Sequence, residues 1–400
     1  MAQSVRHGLG LLLQRLRPLK DVRLSRIENG IIVVIAVTLG VLLRWSLLSF
    51  ESYDFTLYFD PWYATIRQQG FGSLRSGFSN YPPLYLYPLY LISVLVPKAS
   101  ALVATKLPSM VSDFVTAWFG ARIVSLKYGK GHPASLLAFF AIIFAPTVVL
   151  NSSFWGQIDS TFTAGLVACV YFILRRREAL AWIAFALAFS IKLQAIFLAP
   201  FLLALLIKRL LSWKSVLIVP GVYVLTILPA LLVGRPLSEL LTIYVSQVGQ
   251  FRFLVMNAPN LYTWLPQDLY SLLYPAGLIY ASVVVFLFLA AFYKSRAEVT
   301  PSLLMQLAFV SVMILPYFLP KVHDRYFYPS DVFSIVYGFF FPSLFWVPLV
   351  VNMVSFFTYA PYLFGMEILL PNRLAVVLLI VIVIAVRKMV VALYAGEAGT

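Results

Sequence analysis

Long apolar runs recur along the chain and are separated by short polar stretches. A helix needs about 20 apolar residues to cross the roughly 30 Å hydrocarbon core of a bilayer, whereas barrel strands alternate over about ten residues. The runs here are about 16 to 24 residues long, which predicts an all-α polytopic membrane protein. The clear spans are residues 30–49, 103–126, 133–150, 158–174, 216–233, 272–293, 302–319, 329–347, 348–365 and 373–386.

Two other apolar stretches do not fit a simple crossing. Residues 179–207 are long for one helix and short for two, and Lys192 and Gln194 interrupt them. The positive-inside rule puts the flanking basic clusters in the cytoplasm only if this stretch enters and leaves on one side, as two short helices or a re-entrant pair. The number of crossings that keeps the later basic clusters in the cytoplasm also predicts that residues 81–96, which contain three prolines, pack against the bundle or dip into the membrane without crossing it.

This topology predicts about 12 crossings and gathers most of the unusual polar residues on the non-cytoplasmic face. The outer loops are residues 50–80, 151–157, 234–267 and 320–328. Three regions follow: a basic cytoplasmic segment, a catalytic transmembrane domain, and C-terminal transmembrane helices with a cytoplasmic tail. Their bounds are residues 1–29, 30–345 and 346–400.

Composition supports the membrane assignment and excludes several kinds of site. Only 11% of residues are charged, against roughly 25% in soluble domains, and the mean hydropathy is +0.91. The net charge of +15 is spread over short clusters between apolar runs, which indicates contact with membrane lipids rather than nucleic acid. One cysteine and three histidines are too few for a metal centre built from those residues, and no cofactor is expected.

Three acids follow the first span closely: Glu51, Asp54 and Asp60. A carboxylate at a membrane edge carries a desolvation cost, so such residues are functional candidates. Asp54 precedes a helical pattern over residues 56–69, which predicts an interface-lying helix, and a helix N-cap is its structural alternative. Asp60 falls on the polar side of that helix, where simple solvation is the alternative.

Polar residues also interrupt the apolar pattern in the middle of the chain. The stretch NSSFWGQIDS contains Trp155, Gln157 and Asp159 at or just inside a span. A tryptophan and amides beside a carboxylate suit a carbohydrate, and a helix cap is the structural alternative for Asp159. Lys192 and Gln194 need a partner, a polar cavity or a nearby interface.

Two later outer loops contain the remaining candidates. Lys321, His323 and Arg325 put three potential cations within five residues on the outer face, against the positive-inside trend. An anion should compensate them, either acids of the same stretch in an internal salt-bridge cluster or a phosphate ligand. The loop VGQFRFLVMNAPNLYTWLP is amphipathic and aromatic, and it is predicted to cover a cavity with Asn257 and Asn260.

Six motifs together resemble the GT-C class of membrane glycosyltransferases, and within it prokaryotic relatives of the second GPI mannosyltransferase (PIG-V-like). A more distant resemblance is to the dolichyl-phosphate-glucose-dependent glucosyltransferases. The motifs occur in the family's order over residues 50–335 and read YDFTLYFDPW, FSNYPPLYLY, KLPSMVSD, NSSFWGQIDS, AFSIKLQAIFLAP and LPKVHDRYFYP. The resemblance implies a GT-C fold with interfacial helices in the first outer loop. Asp324 stands where the family commonly has glutamate.

The resemblance also implies roles for the candidates. The general base of an inverting transfer falls on Asp54, with Asp60 and Asp159 as secondary acids. The leaving phosphate of the donor is assigned to Lys321, His323 and Arg325. Substrate binding is assigned to Asn80, Tyr81, Trp155, Gln157, Lys192, Gln194, Asn257 and Asn260.

The expected activity is transfer of a hexose, foremost mannose, from a polyprenyl-phosphate sugar to a glycan or lipid-linked acceptor. The expected location is the outer face of a prokaryotic plasma membrane. Glucose, galactose or arabinose would fit the same residues, and a divalent ion shared by Asp54 and Asp159 stays an alternative. A transporter or flippase of lipid-linked sugars is the rival function, although the sequence lacks clear repeated halves. A non-catalytic scaffold for another transferase is a third.

Overall fold

The computed structural model describes residue 23 and residues 25–394, so most of the predicted cytoplasmic segment and the end of the tail lie outside the described residues. The described chain is an all-α polytopic membrane protein. Its α-helices, numbered α1 to α16, are Arg26–Ser46, Asp60–Gln69, Pro83–Leu95, Ala101–Tyr128, Pro133–Ile143, Pro146–Val149, Asp159–Leu174, Glu178–Ile191, Ala199–Ile207, Ile218–Leu232, Leu237–Gly249, Tyr270–Lys294, Pro301–Phe318, Tyr328–Phe340, Trp346–Phe364 and Pro371–Tyr394.

Shorter elements connect these helices. Two π-helical turns, Phe55–Phe59 and Leu150–Trp155, precede α2 and follow α6. Strands β1 (Val255–Met256) and β2 (Val322–His323) pair in parallel and join two outer loops. The 3₁₀ turns are Gly70–Arg75, Leu193–Leu198, Trp213–Leu217, Leu261–Trp264, Gln267–Leu269, Asp324–Phe327 and Pro342–Leu344.

Membrane-length helices in the described part agree with most of the predicted spans. Six are long and apolar enough to cross a bilayer: Ile27–Ser46, Trp213–Leu232, Gln267–Lys294, Pro301–Phe318, Pro342–Phe364 and Pro371–Tyr394. A seventh candidate is the pair Pro133–Ile143 and Pro146–Trp155, which is bent by 47°. Four further apolar helices have only 10–17 residues, so the count of about 12 crossings stays a prediction.

Helix α4 is held to its neighbours by a fully buried ion pair. Asp113 accepts a hydrogen bond from Arg44 Nε of α1 at 2.7 Å, and both side chains are completely buried. Ser152 and Ser160 donate to the same carboxylate at 2.6 and 2.5 Å. A buried charge is tolerated only when paired and hydrogen-bonded, and these contacts meet that condition. They tie α1, the second π turn and α7 to α4.

Lys106 of the KLPSMVSD motif fastens two outer segments together. Its ammonium is buried and donates to the backbone carbonyls of Leu48, Phe50 and Phe154, at 3.0, 2.6 and 3.0 Å. The first two carbonyls lead into the first outer loop and the third belongs to the second outer loop. Lys106 therefore fixes the position at which these loops meet.

The two stretches that did not fit a simple crossing have distinct structures. Helix α8 ends at Ile191, Lys192 is extended (φ −152°, ψ 136°), and a 3₁₀ turn then leads into α9. The predicted pair of short helices around Lys192 is confirmed. Helix α3 has 13 residues with Pro88 inside it. Its length of about 20 Å, at 1.5 Å per residue, is short of the hydrocarbon thickness.

The packing of the peripheral helices adds two details to the predicted organisation. The apolar stripe of the first outer loop, Phe59, Trp62 and Ile66 among others, is buried against α3 and α4, so this stripe faces protein rather than lipid. Helices α15 and α16 share one continuous apolar core with α13 and α14. The predicted boundary at residue 345 thus falls within one packed core.

Candidate active site

A cavity of about 490 Å³ opens where the predicted outer loops converge. Its walls come from the first π turn, the residues before α3, the segment after the second π turn, the break at Lys192, the end of α11, strands β1 and β2 with the residues after each, and α15. The predicted site residues that line it are Asp54, Asn80, Tyr81, Gln157, Lys192, Gln194, Asn257, His323 and Arg325. Residues from most of the chain thus meet at one site.

The Asp54 side chain is held by two donors from the second outer loop. Its Oδ2 accepts a hydrogen bond from Trp155 Nε1 at 3.0 Å and from Gln157 Nε2 at 2.6 Å. Its backbone N–H donates to the Tyr362 hydroxyl oxygen at 2.8 Å. Asp54 has helical backbone angles and makes no side-chain capping bond, so the helix-cap interpretation is wrong. The carboxylate is oriented by side chains, which fits a group that acts on a ligand.

Trp155 supports Asp54 from below the cavity. Its side chain is completely buried, stacks on Tyr362 with ring centroids 4.6 Å apart, and packs edge-on against Tyr359 at 5.3 Å. The Arg325 guanidinium lies over the same indole ring, 5.3 Å from its centroid. Because Trp155 has no exposed surface, its prediction as a substrate-binding residue is corrected. It positions Asp54 and Arg325.

Arg325 lies among three carboxylates. Its Nη1 is 4.0 Å from Asp54 Oδ2 and 3.6 Å from Asp324 Oδ1, and its Nε is 3.7 Å from Asp159 Oδ2. Burial lowers the pKa of Arg325, but the three carboxylates outweigh this and raise it overall, so the guanidinium stays charged. The sequence left open that Asp54 and Asp159 share a divalent ion. In the structure the positive charge near both carboxylates is the Arg325 guanidinium.

Asp159 does not line the cavity itself but pairs with Lys192 and Arg325, which do. It is completely buried, and its Oδ1 accepts a short hydrogen bond of 2.5 Å from Lys192 Nζ. Its Oδ2 accepts from Asn151 Nδ2 at 3.0 Å. Asp159 is the first residue of α7 and not its cap, so the capping alternative is also wrong. The ammonium of Lys192 lies 5.9 Å from the Tyr81 ring centroid, which brings it to the cavity wall.

His323 and Asp324 do not have the charges that their types suggest. Burial, followed by the neighbouring Arg325, Lys192 and Lys321 charges, lowers the pKa of His323 well below 6.5, so the imidazole is neutral at pH 7. The predicted cluster of three cations is corrected on this point. Burial raises the pKa of Asp324 to about 7, although the Arg325 charge and its backbone N–H, at 2.8 Å, oppose that shift.

Lys321 lies outside the cavity of Asp54. Its φ of +64° turns the chain, and its backbone N–H donates to the Leu254 carbonyl at 2.7 Å. Its ammonium lies over the rings of Tyr270 and Tyr274, at 5.5 and 5.4 Å from their centroids, and lines an adjoining cavity of about 210 Å³. The prediction that Lys321 binds the donor phosphate with Arg325 is therefore corrected.

Two further candidates are also absent from the cavity lining. Asn260 is completely buried, and its Nδ2 donates to the Leu319 carbonyl at 3.1 Å while its Oδ1 accepts from the Tyr262 N–H. It shapes the loop and contacts no ligand space. Asp60 is exposed at the start of α2 and does not itself line the cavity, as the solvation alternative predicted.

Some lining residues escaped the sequence analysis. Tyr362 comes from a C-terminal helix in which no motif was recognised, and Gln247, Gln250 and Tyr326 line the cavity without having been singled out. Tyr362 is one of three aromatic residues near the end of an apolar helix, which is an ordinary pattern in membrane proteins. The one usable signal was the position of Tyr362 at the outer end of its predicted span.

Comparison with known proteins supports the fold only. No protein-family model and no curated protein matches the chain. Among solved structures, it is similar to the crystal structure of ArnT from Cupriavidus metallidurans bound to undecaprenyl phosphate. The sequence identity is 13% and the TM-score is 0.54, and the alignment covers 90% of this chain and 76% of that one. The chain therefore has a GT-C fold, as its sequence predicted, and the PIG-V-like resemblance stays a prediction.

Proposed function

We propose that this chain is a glycosyltransferase that moves a sugar from a polyprenyl-phosphate donor to an acceptor hydroxyl. The observation that carries the proposal is the Asp54 carboxylate, oriented by Trp155 and Gln157 at the wall of a cavity and 4.0 Å from the Arg325 guanidinium. A positioned base beside a fixed cation is what a transfer to a hydroxyl from a phosphate leaving group requires. The undecaprenyl phosphate bound to ArnT, which shares the fold, supports a lipid of this class.

Asp54 acts as the general base. Trp155 and Gln157 both bind Oδ2, so we assign Oδ1 to the acceptor proton. As that proton leaves, the acceptor oxygen attacks the anomeric carbon from the side opposite the phosphate. The anomeric C–O bond to the phosphate breaks, and its electron pair departs on the phosphate oxygen. The product has inverted configuration, and the polyprenyl phosphate is released.

Arg325 stabilises the charge that develops on the leaving phosphate. Its Nε makes no hydrogen bond to protein, and its three carboxylate neighbours lie at 3.6–4.0 Å, so the donor phosphate can engage it. Lys192 adds a second positive charge beside the cavity, while His323 contributes a neutral ring. Asn80, Tyr81, Gln157, Gln194 and Asn257 are the polar lining groups that we assign to sugar hydroxyls.

The sugar and the location follow from the sequence resemblance. A hexose, foremost mannose, is the proposed sugar, with a glycan or lipid-linked acceptor. The reaction is proposed for the outer face of a prokaryotic plasma membrane, because the basic clusters between spans are assigned to the cytoplasm.

Replacing Asp54 tests the proposal. Asp54→Asn keeps an amide oxygen for Trp155 and Gln157 and removes the base, so turnover should fall about 10²–10⁴-fold without loss of thermal stability. The assay follows the consumption of radiolabelled polyprenyl-phosphate mannose in membranes that contain the protein and supply the acceptor. Asp60→Asn, the same change at an exposed site of the same loop, is the matched control and should keep its activity. Near-normal turnover in Asp54→Asn would show that Asp54 is not the general base.

A flippase of lipid-linked sugars is the second candidate. Two buried ion pairs, Arg44 with Asp113 and Lys192 with Asp159, are the kind of feature that transport pathways use. Reconstituted vesicles distinguish the two functions. A transferase consumes the labelled donor in the presence of acceptor, whereas a flippase changes its sidedness and leaves it intact.

A further inference from the structure

A second polar groove lies beside the cavity of Asp54. It has a volume of about 410 Å³ and runs between residues 77–80 and helix α11. Tyr58, Trp62, Asn80 and Gln250 line both spaces, so the groove and the cavity share a wall.

The wall between the two spaces is made of side-chain contacts. Asn80 Nδ2 donates to Gln250 Oε1 at 3.3 Å, and Gln247 Nε2 donates to the Asn80 carbonyl. Asn80 Oδ1 is buried and accepts no hydrogen bond from the protein. Gln250 is exposed, so rotation of its side chain would leave the Asn80 amide available to a ligand.

The groove contains an arginine whose donors are not satisfied. The Arg235 side chain is only 4% exposed, yet its Nε and Nη1 make no hydrogen bond. Its partner Glu239, one helical turn later and 52% exposed, is 3.6 Å away, beyond hydrogen-bonding distance. Buried donors are normally paired, so unpaired ones that line a groove point to a missing acceptor. A ligand oxygen would supply it.

Gly77 keeps this ion pair open to the groove. A Cβ at this position would lie 3.3 Å from both Arg235 Nη2 and Glu239 Oε2, closer than most real contacts. Glycine therefore leaves room for a ligand atom in front of the two charged groups. This is one of the uses of glycine in binding sites, where a side chain would block approach.

The lining chemistry indicates the class of ligand. Arg235 offers donors, Glu239 offers acceptors, and the two charges cancel, so the groove does not favour an anion. Hydroxyl and amide groups add to the donors and acceptors, and Tyr58 and Trp62 supply aromatic surface. Vicinal hydroxyls of a sugar can accept from a guanidinium and donate to a carboxylate at the same time.

We propose that this groove binds the neutral saccharide part of the acceptor and feeds its reactive hydroxyl past Asn80 to Asp54. The inference deepens the proposed function and rests on it. Arg235 and Glu239 act in this scheme as acceptor-specificity residues, far in sequence from the catalytic motifs.

Sugar binding to the purified full-length protein tests the groove independently of catalysis. The probes are mannobiose, cellobiose and lactose at millimolar concentrations, with digalacturonate as the acidic comparison, read by saturation-transfer NMR. At least one neutral disaccharide should bind the wild-type protein. Arg235→Gln should weaken that binding about tenfold, as expected for the loss of hydrogen bonds from a charged donor.

A blocking variant and its control locate the binding. Ser246→Trp fills the groove from an exposed position, whereas Val245→Trp adds the same ring at the preceding residue of α11, which does not line the groove. Binding should be lost in the first and retained in the second. Asp54→Asn should also retain it, so a failure of the catalytic proposal would leave this result unchanged.

Three outcomes would overturn the inference. The first is that no neutral disaccharide binds. The second is binding that survives both Arg235→Gln and Ser246→Trp. The third is tighter binding of digalacturonate than of every neutral sugar, because the groove would then recognise an acid.

Discussion

The charge of Asp324 should control how tightly the donor binds. Its carboxyl is buried and its Oδ1 lies 3.6 Å from Arg325 Nη1, on the guanidinium that we assign to the donor phosphate. Burial raises the pKa of this carboxyl from 3.8 to about 7. Below that pH Asp324 is neutral and leaves Arg325 to the ligand. Above it, an ionised Asp324 competes with the phosphate.

The size of the effect follows from the pKa shift. A rise from 3.8 to about 7 is about three units, and at 1.36 kcal/mol per unit it corresponds to about 4 kcal/mol for ionising Asp324 in place. Donor KM in the wild-type protein should therefore climb above about pH 7, by up to about tenfold per pH unit. Asp324→Asn removes the titrating group, so its donor KM should stay flat over the same range.

The raised pKa of Asp324 also determines how the stability of the fold changes with pH. The folded protein holds a proton on Asp324 between pH 3.8 and about 7 that the unfolded chain has released, so this group adds stability as the pH falls through that window. His323 acts in the opposite direction. Its pKa is lowered by burial, so stability is lost as the pH falls below 6.5, where the unfolded chain takes up the proton. Asp324→Asn should thus raise Tm above pH 7.

The assay measures donor KM and kcat with radiolabelled polyprenyl-phosphate mannose on both sides of the pKa of about 7. His323→Gln is the control, because it changes the adjacent titratable residue and leaves Asp324 in place. It should keep the alkaline rise in KM. The reasoning is refuted if Asp324→Asn shows the same rise as the wild-type protein.

Three further predictions separate residues that contact the cavity from residues that do not. Lys321→Gln should leave donor KM within about twofold of wild type, whereas Arg325→Gln should raise it at least about tenfold, the loss expected for a charged hydrogen bond to phosphate. Asn260→Ala should lower the free energy of unfolding by roughly 1–3 kcal/mol, the cost of leaving a buried group unpaired, and so lower Tm. It should leave KM unchanged in the same assay. Arg44→Met should destabilise the fold by about 3–5 kcal/mol, and Arg44→Met with Asp113→Leu should recover most of that in thermal unfolding.

The architecture was predictable because bilayer thickness sets helix length and charge sets orientation. The interruption at Lys192 was also readable, since the positive-inside rule requires this stretch to return to the side it entered from, and the lysine needs a partner or a polar cavity. Asp54 stood out for a similar physical reason. A carboxylate at the lipid boundary is costly, and the segment after the first span has few other uses for one.

The loop residues after β2 show where the sequence pattern stops being informative. Lys321, His323 and Arg325 alternate in sequence, and in a continuous strand their side chains would share a face. The strand has only two residues, Lys321 has a positive φ, and a 3₁₀ turn begins at Asp324. The three side chains therefore do not share one face. Of the three, His323 and Arg325 line the cavity and Lys321 does not.

The support for Asp54 was not predictable either. Trp155 and Tyr362 are more than 200 residues apart, and their stacking depends on the packing of α15 against the second π turn. Nothing in the local sequence of an apolar helix distinguishes a tyrosine that supports a site from one that lies in the interface. That information comes only from tertiary structure.

Arg44, in the helical core, and Arg325, in the 3₁₀ turn after β2, differ in a way that explains the Arg325 cluster better by a ligand than by stability. Arg44 uses all its nitrogens, bonding Asp113 at 2.7 Å and the carbonyls of Gly40 and Ile143 at 3.2 and 3.0 Å. Arg325 has more acidic neighbours, yet each is at 3.6–4.0 Å, and its Nε is without a hydrogen bond. A salt-bridge cluster built for stability would close those distances, because an unmade buried hydrogen bond is costly. Arg325 is held by charge at the position where a phosphate would complete its bonds.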